Sequence, residues 1–267
     1  MLTSRPPAVA GMFYPGDRQQ LQTMVENFLA SEHASPLSQQ QEHSIKALVV
    51  PHAGYIYSGP IAASAYRLLR SRHQYIKRVV LLGPSHRVPL RGMALPSVDR
   101  FTTPLGDIPL DTKGMQQLLT LNDVQVLDQA HDYEHSLEVQ LPFLQILLDE
   151  FILLPIVVGA CDVNSVKNVL RTVWGGDETL IVISSDLSHY HQYDSARDID
   201  RHTSELITQK DWHLHGEQAC GCYPLNGLLK LASELSLSVC PLDLRNSGDT
   251  AGDKDRVVGY GAYALYA

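Results

Sequence analysis

The sequence predicts an α/β fold with a mostly parallel central sheet that helices cover on both faces. The first observation is a set of near-continuous apolar runs, such as KRVVLLG and TLIVISS, which are typical of strands buried on both faces. The second is that segments with apolar residues at helical spacing alternate with these runs. The third is size, since 267 residues, 44% of them hydrophobic, suffice for one large domain or two small ones.

The first half of the chain begins with an N-terminal segment rich in turn-forming residues, which ends in GMFYPGD. Residues 18–31 carry apolar side chains at helical spacing, and Asp17 precedes them as a predicted N-cap. Residues 31–44 are polar and predict an exposed loop. The patterns that follow predict, in order, a strand at 45–52, a helix at 59–71, a strand at 75–86, a hairpin or edge element at 101–111 and a short helix at 114–122.

The second half continues the alternation without any visible internal repeat. Its patterns predict, in order, a helix at 135–150, a strand at 151–159, a helix at 163–174, a strand at 179–189 and helices at 196–210 and 222–235. The closing stretch VVGYGAYALYA alternates between apolar and small or polar residues, which predicts a last strand at 257–267.

Composition excludes several classes of partner. The formal net charge is -8 and no run of Lys and Arg is present, so we expect no nucleic acid as a main partner. No apolar stretch is long enough to span a bilayer and the N-terminus lacks the order of a signal peptide, so we expect no membrane association. Four cysteines are too few for a disulfide scaffold at this length, which favours a reducing, cytoplasmic location.

Polar side chains follow three of the predicted strands at the point where each strand ends. They are His52 after VVP, Ser85 and His86 after VVLLGP, and Asp186, His189 and His191 after IVISS. Because the carboxyl ends of strands in an open α/β sheet face a common crevice, we expect these groups to converge on one ligand. A fourth contributor is DYEHSLE, where His135 and Glu138 are three apart and share a helix face.

Convergent histidine and carboxylate side chains with open positions suit iron, zinc or manganese. Two histidines and a carboxylate around an open face are the arrangement of non-haem Fe(II) sites that activate oxygen. The same residue types also suit metal-assisted hydrolysis. Tyr55 and Tyr57 either hold a substrate or proton or line the rim of the crevice.

Other residues carry less weight. Six histidines lie in polar or helical contexts and are expected to be solvated: His33, His43, His73, His202, His213 and His215. His131 is interpreted as a loop residue beside His135. Cys220 and Cys222 form a CxC motif, which can bind a metal, but the motif has no second half in this sequence, so two small residues packing a turn is the favoured interpretation. GPSH lacks the GxSxG elbow of a serine nucleophile, and no GxGxxG motif supports dinucleotide binding.

Six separated motifs in the sequence together carry a resemblance to one protein family: RPPAVAGMFYPGD, PHAGYIYSGPIAASAY, LLGPSH, EHSLEVQLPFLQ, SSDLSHYH and NSGDTAGDKDRVVGYGAYAL. By the order and the residues of these motifs, the chain resembles the Memo family, the B component of the AmmeMemoRadiSam system, from end to end. The resemblance implies one Memo-like domain over residues 1–267. It also implies a single-domain αβα sandwich like the class III extradiol dioxygenases, with non-haem iron at the carboxyl edge of the sheet.

The resemblance also implies site residues. The two metal histidines fall on His52 and His86, and the histidine that approaches the metal from the other side falls on His189. Asp186 lies beside His189, and His135 matches a further family histidine in the pocket. These three are the predicted catalytic residues.

The third metal ligand is where the chain departs from the animal members, which have a cysteine in the block before the last strand. RNSGDTAGD has Asp249 there, and none of the four cysteines lies in that block. With His52 and His86, Asp249 would complete a site of two histidines and a carboxylate. A carboxylate in place of a cysteine favours Fe(II) as the metal and makes copper(I) less suitable. Zinc and copper remain the alternative metals.

Three functions remain open. The first is a metal-dependent, oxygen-using oxidoreductase whose predicted substrate-binding residues are Tyr55, Tyr57, Ser85 and Tyr190. The second is a non-catalytic module that binds a peptide or a partner protein, and aromatic side chains near the crevice suit it equally. The third, weaker alternative is a metallohydrolase. The resemblance further implies association with a radical-SAM protein and an AMMECR1-like protein, and a small molecule or peptide as ligand.

Overall fold

The structure is a computed structural model that describes residues 2–31 and 35–267. Its strands are β1 (Ser4–Arg5), β2 (Ile45–Val50), β3 (Arg78–Pro84), β4 (Met93–Leu95), β5 (Arg100–Thr103), β6 (Gly106–Pro109), β7 (Val124–Val126), β8 (Ile152–Val158), β9 (Thr179–Ser184), β10 (His189–His191), β11 (Ser238–Asn246) and β12 (Val257–Tyr266). Its α-helices are α1 (Arg18–Ala30), α2 (Gln39–His43), α3 (Tyr55–Tyr66), α4 (Thr112–Leu118), α5 (Gln129–Asp132), α6 (His135–Glu138), α7 (Leu141–Leu147), α8 (Val163–Thr172), α9 (Tyr193–Thr208) and α10 (Cys222–Glu234).

The predicted α/β class is confirmed: a large mixed sheet lies between layers of helices in one domain. The sheet has the strand order β10-β12-β2-β9-β3-β8-β4-β7, with β11 paired to β12. Its centre, β2-β9-β3-β8, is parallel throughout. Antiparallel pairing is found at its margins, where β12 joins β2 and β4 joins β8. The prediction of a mostly parallel sheet therefore describes the centre of the sheet, and the margins are mixed.

The central strands form the core because almost every one of their side chains is apolar. β9 is buried at all six positions and β3 at its last six, as near-continuous apolar runs predict for strands covered on both faces. Helices α1, α3 and α7 contact one another in one layer, and α8 packs against α10 in another. β9 lies between β2 and β3, so the residues that follow these three strands emerge side by side at one edge.

The local signals of the first helix are confirmed. Asp17 caps α1, and its side chain accepts a hydrogen bond from the backbone N–H of Gln20. Within the predicted loop at 31–44, a short helix α2 begins after Ser38, which forms a capping box with Gln41. Part of that prediction, including His33, falls on residues 32–34, which lie outside the described part of the chain.

The predicted single helix at 135–150 is wrong, because two short helices, α6 and α7, occupy this stretch. Pro142 lies in the first turn of α7, where its missing N–H and fixed φ are tolerated; in the interior of one long helix it would break the hydrogen-bond ladder. The sequence also did not predict β4, β7 and β11, of which β4 and β7 have only three residues each. Among the described residues, no helix is long and apolar enough to cross a membrane.

Candidate metal centre at the carboxyl edge of the sheet

His52 follows β2 and is held rigidly in the core, with 2% of its surface exposed. Its Nδ1 lies 2.9 Å from the hydroxyl of Ser184, and its backbone N–H donates to Asp186 Oδ1 at 2.7 Å. With Nδ1 engaged, the second ring nitrogen, Nε2, is the one available to a ligand. Nε2 lies 3.2 Å from the Sγ atom of Cys220 and 3.9 Å from Asp186 Oδ2.

His86 follows β3 and is oriented by a buried carboxylate. Its Nδ1 lies 2.9 Å from Glu134 Oε1, and its backbone N–H donates to Oε2 of the same side chain at 2.6 Å. Glu134 also accepts the backbone N–H of Ser136 at 2.8 Å. A carboxylate on one ring nitrogen is the usual partner of a metal-binding histidine, because it fixes the ring so that the other nitrogen faces the metal.

Cys220 reaches the same point from the loop that precedes α10. Its Sγ accepts the backbone N–H of Asp186 at 3.3 Å, and its own N–H donates to the carbonyl of Asp186 at 3.2 Å. The next residue, Gly221, donates to Ser185 Oγ at 2.9 Å. A Cβ at position 221 would lie 2.7 Å from Ser185 Cβ, so glycine is required for the loop to come this close to the end of β9.

Ligand atoms of His52, His86 and Cys220 all lie within 4.8 Å of one another. Two imidazoles and one thiol, each a common ligand of first-row transition metals, form a donor set that can hold such an ion. A second group within the same limit comprises His86, Glu134 and His135. Its carboxylate already accepts three N–H groups, so we assign Glu134 the role of orienting His86.

His135, at the start of α6, completes a cluster of three imidazoles. Its ring centroid lies 4.7 Å from that of His86 and 5.5 Å from that of His52. Phe13 packs against its other side at 4.6 Å. Among the described residues, the buried Nδ1 of His135 makes no hydrogen bond, although it lies 3.5 Å from Glu134 Oε1.

Burial dominates the electrostatics of this cluster. Burial, with the nearby His86, lowers the pKa of His52 to about 3, and burial, with His52, lowers the pKa of His135 to about 4. Both imidazoles are therefore neutral at pH 7, which is the form that binds metals. Burial opposes the charge of Glu134, but the hydrogen bonds from His86 and Ser136 outweigh it and lower its pKa to about 2. Burial raises the pKa of the Cys220 thiol well above its usual range.

The cluster opens into a cavity of about 580 Å³. Besides the three histidines, its walls include two predicted catalytic residues, Asp186 and His189, and two predicted substrate-binding residues, Tyr57 and Tyr190. Asp186 is 4% exposed, and burial raises the pKa of its carboxyl. The structure thus brings together most of the predicted site residues around one space.

Three predicted site residues are not part of this cavity. Tyr55 is in the core, where its hydroxyl donates to the carbonyl of Val139 at 2.6 Å. Ser85 donates to the carbonyl of Val88 at 2.6 Å and does not line the cavity. Asp249 accepts hydrogen bonds from the hydroxyl of Tyr193 and the backbone N–H of Asn246, at 2.5 and 3.0 Å, and belongs to neither candidate metal group.

The structure has two residues at the site that sequence reasoning did not assign to it, Cys220 and Glu134. Cys220 lies in a turn, as its CxC motif predicts, but its Sγ is also 3.2 Å from Nε2 of His52, which makes metal binding, the less favoured interpretation of the motif, a candidate role. Glu134 could have been noticed as the acidic residue directly before His135. His131 is also no mere loop residue: it is 2% exposed, and its Nε2 lies 3.0 Å from the carbonyl of Ala94.

The other histidines agree better with expectation. Four of those predicted to be solvated are exposed, namely His43, His202, His213 and His215, and His73 is half-buried. All four cysteines are free thiols, as expected from their number.

Fold and site define an α/β protein with a candidate metal centre at the carboxyl ends of the parallel strands at the centre of its sheet. The chain belongs to the Memo-like family, whose model, described as "Memo-like protein", matches residues 5–264. It is 36% identical to a MEMO1 family protein of Sulfolobus acidocaldarius over 276 residues, covering 96% of this chain and 97% of that protein. It is also 36% identical to MEMO1 family proteins of Aquifex aeolicus and Ignicoccus hospitalis, with 96–97% of this chain and 97% of each relative covered.

Proposed function

We propose that the chain is a metal-dependent oxidoreductase whose metal ion is held by His52, His86 and Cys220. The observation that carries this proposal is the mutual distance of at most 4.8 Å between the three donor atoms. The partners of the two Nδ1 atoms, Ser184 and Glu134, support it further, because they leave both Nε2 atoms available.

The donor set bears on the choice of metal. A thiolate is softer than the carboxylate that Asp249 would have supplied, so copper becomes a stronger alternative to iron, and zinc also suits such a site. We propose iron as the native metal, because two imidazoles and open positions suit it and because it supports oxidation chemistry. A bound iron ion would supply one-electron chemistry and the activation of oxygen.

The chain's own residues would bind the substrate and move its protons. His189 lines the cavity and would take a proton from the substrate and return it, a role that contributes about two to four orders of magnitude in rate. Asp186 would hold the His52 segment in place through its hydrogen bond to the backbone N–H. His135 would offer its Nδ1, which makes no hydrogen bond within the described residues, as a hydrogen-bonding group.

Oxygen uptake tests the proposal. The iron-loaded, reduced protein is incubated with candidate catechols, and oxygen consumption is recorded beside that of the His52→Ala/His86→Ala variant. Consumption that depends on a substrate and is lost in the variant supports the oxidoreductase. Full iron occupancy without oxygen uptake for any substrate class would contradict it.

A second candidate is a non-catalytic module that binds a peptide or a partner protein, including the radical-SAM and AMMECR1-like partners that the family resemblance implies. The aromatic lining of the cavity favours it, since Phe13, Tyr57, Tyr190 and Tyr260 are residue types that anchor interfaces. A co-purification with these partners that survives substitution of His52 and His86 would favour this function over the oxidoreductase.

A further inference from the structure

Two arginines, Arg87 and Arg256, line the cavity around the candidate metal centre. Arg87 directly follows the proposed ligand His86, and Arg256 directly precedes β12. Both residues line the cavity and are exposed, so they lie at its solvent-facing side. The chain as a whole carries a formal net charge of -8, so this positive rim is opposite in sign to the rest of the molecule.

Neither guanidinium is neutralised by a carboxylate in the described part of the chain. Six other arginines form ion pairs with acidic side chains, namely Arg5, Arg78, Arg100, Arg171, Arg201 and Arg245. Arg87 and Arg256 have no such pair among residues 2–31 and 35–267. Their donors therefore remain available to a ligand.

Arg256 is nevertheless oriented, because its guanidinium stacks on an aromatic ring. Its Cζ lies 5.1 Å from the centroid of the Tyr190 ring. A cation–π contact of this kind directs the planar group without cancelling its charge. Tyr190 has a φ of 62°, a left-handed conformation that non-glycine residues rarely adopt and that is found disproportionately at functional sites.

The acidic residues of the cavity do not replace the missing ion-pair partners. Asp253 accepts the backbone N–H groups of Asp255 and Arg256, at 3.0 and 3.4 Å, and so supports the turn that carries Arg256. Asp186 is buried at the bottom of the cavity, where it accepts the backbone N–H of His52.

From these contacts we propose that the substrate of the cavity is an anion, whose carboxylate or phosphate group is bound by Arg87 and Arg256 while its remaining part faces the metal centre. Guanidinium groups match planar oxyanions through two parallel hydrogen bonds, which makes arginine the preferred residue for this recognition. The aromatic walls, Tyr57 and Tyr260, suit a ring or other apolar body attached to the anionic group. This inference rests on the proposed function, because it names the substrate class of the same site.

The test compares benzoate with benzamide, which have nearly the same shape but differ in charge. Both are titrated by calorimetry into the chain of 267 residues loaded with Co(II), whose visible spectrum separately reports a thiolate-bound metal. We expect benzoate to bind about tenfold more tightly than benzamide, and Arg87→Gln and Arg256→Gln each to remove most of this preference. Inorganic phosphate, titrated in parallel, distinguishes a phosphate-selective site from a carboxylate-selective one.

Two control variants sharpen the result. Arg91→Gln removes the same charge from an exposed arginine outside the cavity and should keep the preference of the parent chain. Arg256→Lys keeps the positive charge and should keep part of the preference for benzoate over benzamide. Equal binding of benzoate and benzamide, or a preference that survives both glutamine variants, would overturn the anion proposal. A missing thiolate–cobalt band would instead overturn the proposed metal centre, while an arginine-dependent preference for benzoate would still establish the anion site.

Discussion

The Sγ atom of Cys220 lies 3.2 Å from Nε2 of His52, although 168 residues separate them along the chain. The contact depends on the central order of the sheet, in which β9 lies beside β2. Asp186, which follows β9, binds both partners: its carboxylate accepts the N–H of His52, and its backbone exchanges hydrogen bonds with Cys220. The order of the strands therefore positions His52, and Asp186 holds the loop that carries Cys220 beside His52.

Glu134 is predicted to control metal affinity without binding the metal. Glu134→Ala removes the acceptor that fixes Nδ1 of His86, so we expect metal affinity to fall by about 10- to 100-fold. Competition with a chromophoric chelator measures this affinity. The matched control is Glu150→Ala, which removes an exposed carboxylate elsewhere and should leave the affinity unchanged. Equal affinities in all three proteins would show that the orientation of His86 does not depend on Glu134.

His189 is predicted to serve turnover and not metal binding. His189→Ala should retain the metal content of the parent chain and lose about two to four orders of magnitude in turnover, because the substrate then lacks a proton acceptor. Elemental analysis and oxygen uptake measure the two quantities on one preparation. His191→Ala, an exposed histidine of the same strand, is the control and should retain both. Loss of the metal in His189→Ala would rule out this separation of roles.

The packing of the N-terminal segment is predicted to depend on the buried carboxylate of Glu138. Glu138 is fully buried and accepts hydrogen bonds from Arg5, from the backbone N–H groups of Ala8 and Val9, and from the hydroxyl of Tyr14. Glu138→Gln leaves the Arg5 charge buried without its partner, so we expect the free energy of unfolding to fall by about 3 kcal/mol or more.

Chemical denaturation measures this loss. The control is Glu234→Gln, which breaks an exposed pair with Lys167 and should change stability little. A small effect of Glu138→Gln, similar to that of the control, would mean that the segment is held by its apolar contacts instead.

Stability is predicted to fall in mild acid, partly because of His131. Burial lowers the pKa of His131 to about 4 in the folded chain, whereas the unfolded chain has the ordinary value of about 6.5. Between these values the unfolded state binds a proton that the folded state does not, so the contribution is complete above about pH 6.5 and is lost as the pH falls toward 4.

His131→Gln removes this titration while keeping a donor for the Ala94 carbonyl. We expect the loss of stability between pH 7 and pH 4.5 to be smaller in this variant by about 2 kcal/mol, measured by urea denaturation at each pH. His202→Gln, at an exposed position, should follow the parent chain. Identical slopes for all three proteins would show that His131 is accessible to protons in the folded state.

Strand-end residues could be predicted because the signal is local. Each of the strands β2, β3 and β9 is a continuous apolar run, and the polar residue that follows it, such as His52 or His86, marks the edge of the sheet. Parallel pairing then places these strand ends side by side, independently of the conformation of the connecting segments. The histidine half of the site was therefore visible in the sequence.

The proposed third donor could not be predicted in the same way, because Cys220 lies in a loop. Its position depends on hydrogen bonds to Asp186 and on the close approach of Gly221 to Ser185, and neither leaves a periodic signal. Asp249 is a polar residue in a glycine-containing turn, and that pattern is equally compatible with its observed hydrogen bonds to Tyr193 and Asn246. β11 was missed because its side chains are mostly half-buried or exposed, without a clear apolar face.

The most direct test is the metal content of anaerobically purified protein, measured by elemental analysis for the parent chain, Cys220→Ala and Asp249→Ala. We predict near-stoichiometric transition metal in the parent and in Asp249→Ala, and a large loss in Cys220→Ala, because the thiol and not the carboxylate lies beside His52. Metal that is retained in Cys220→Ala and lost in Asp249→Ala would contradict the proposed site.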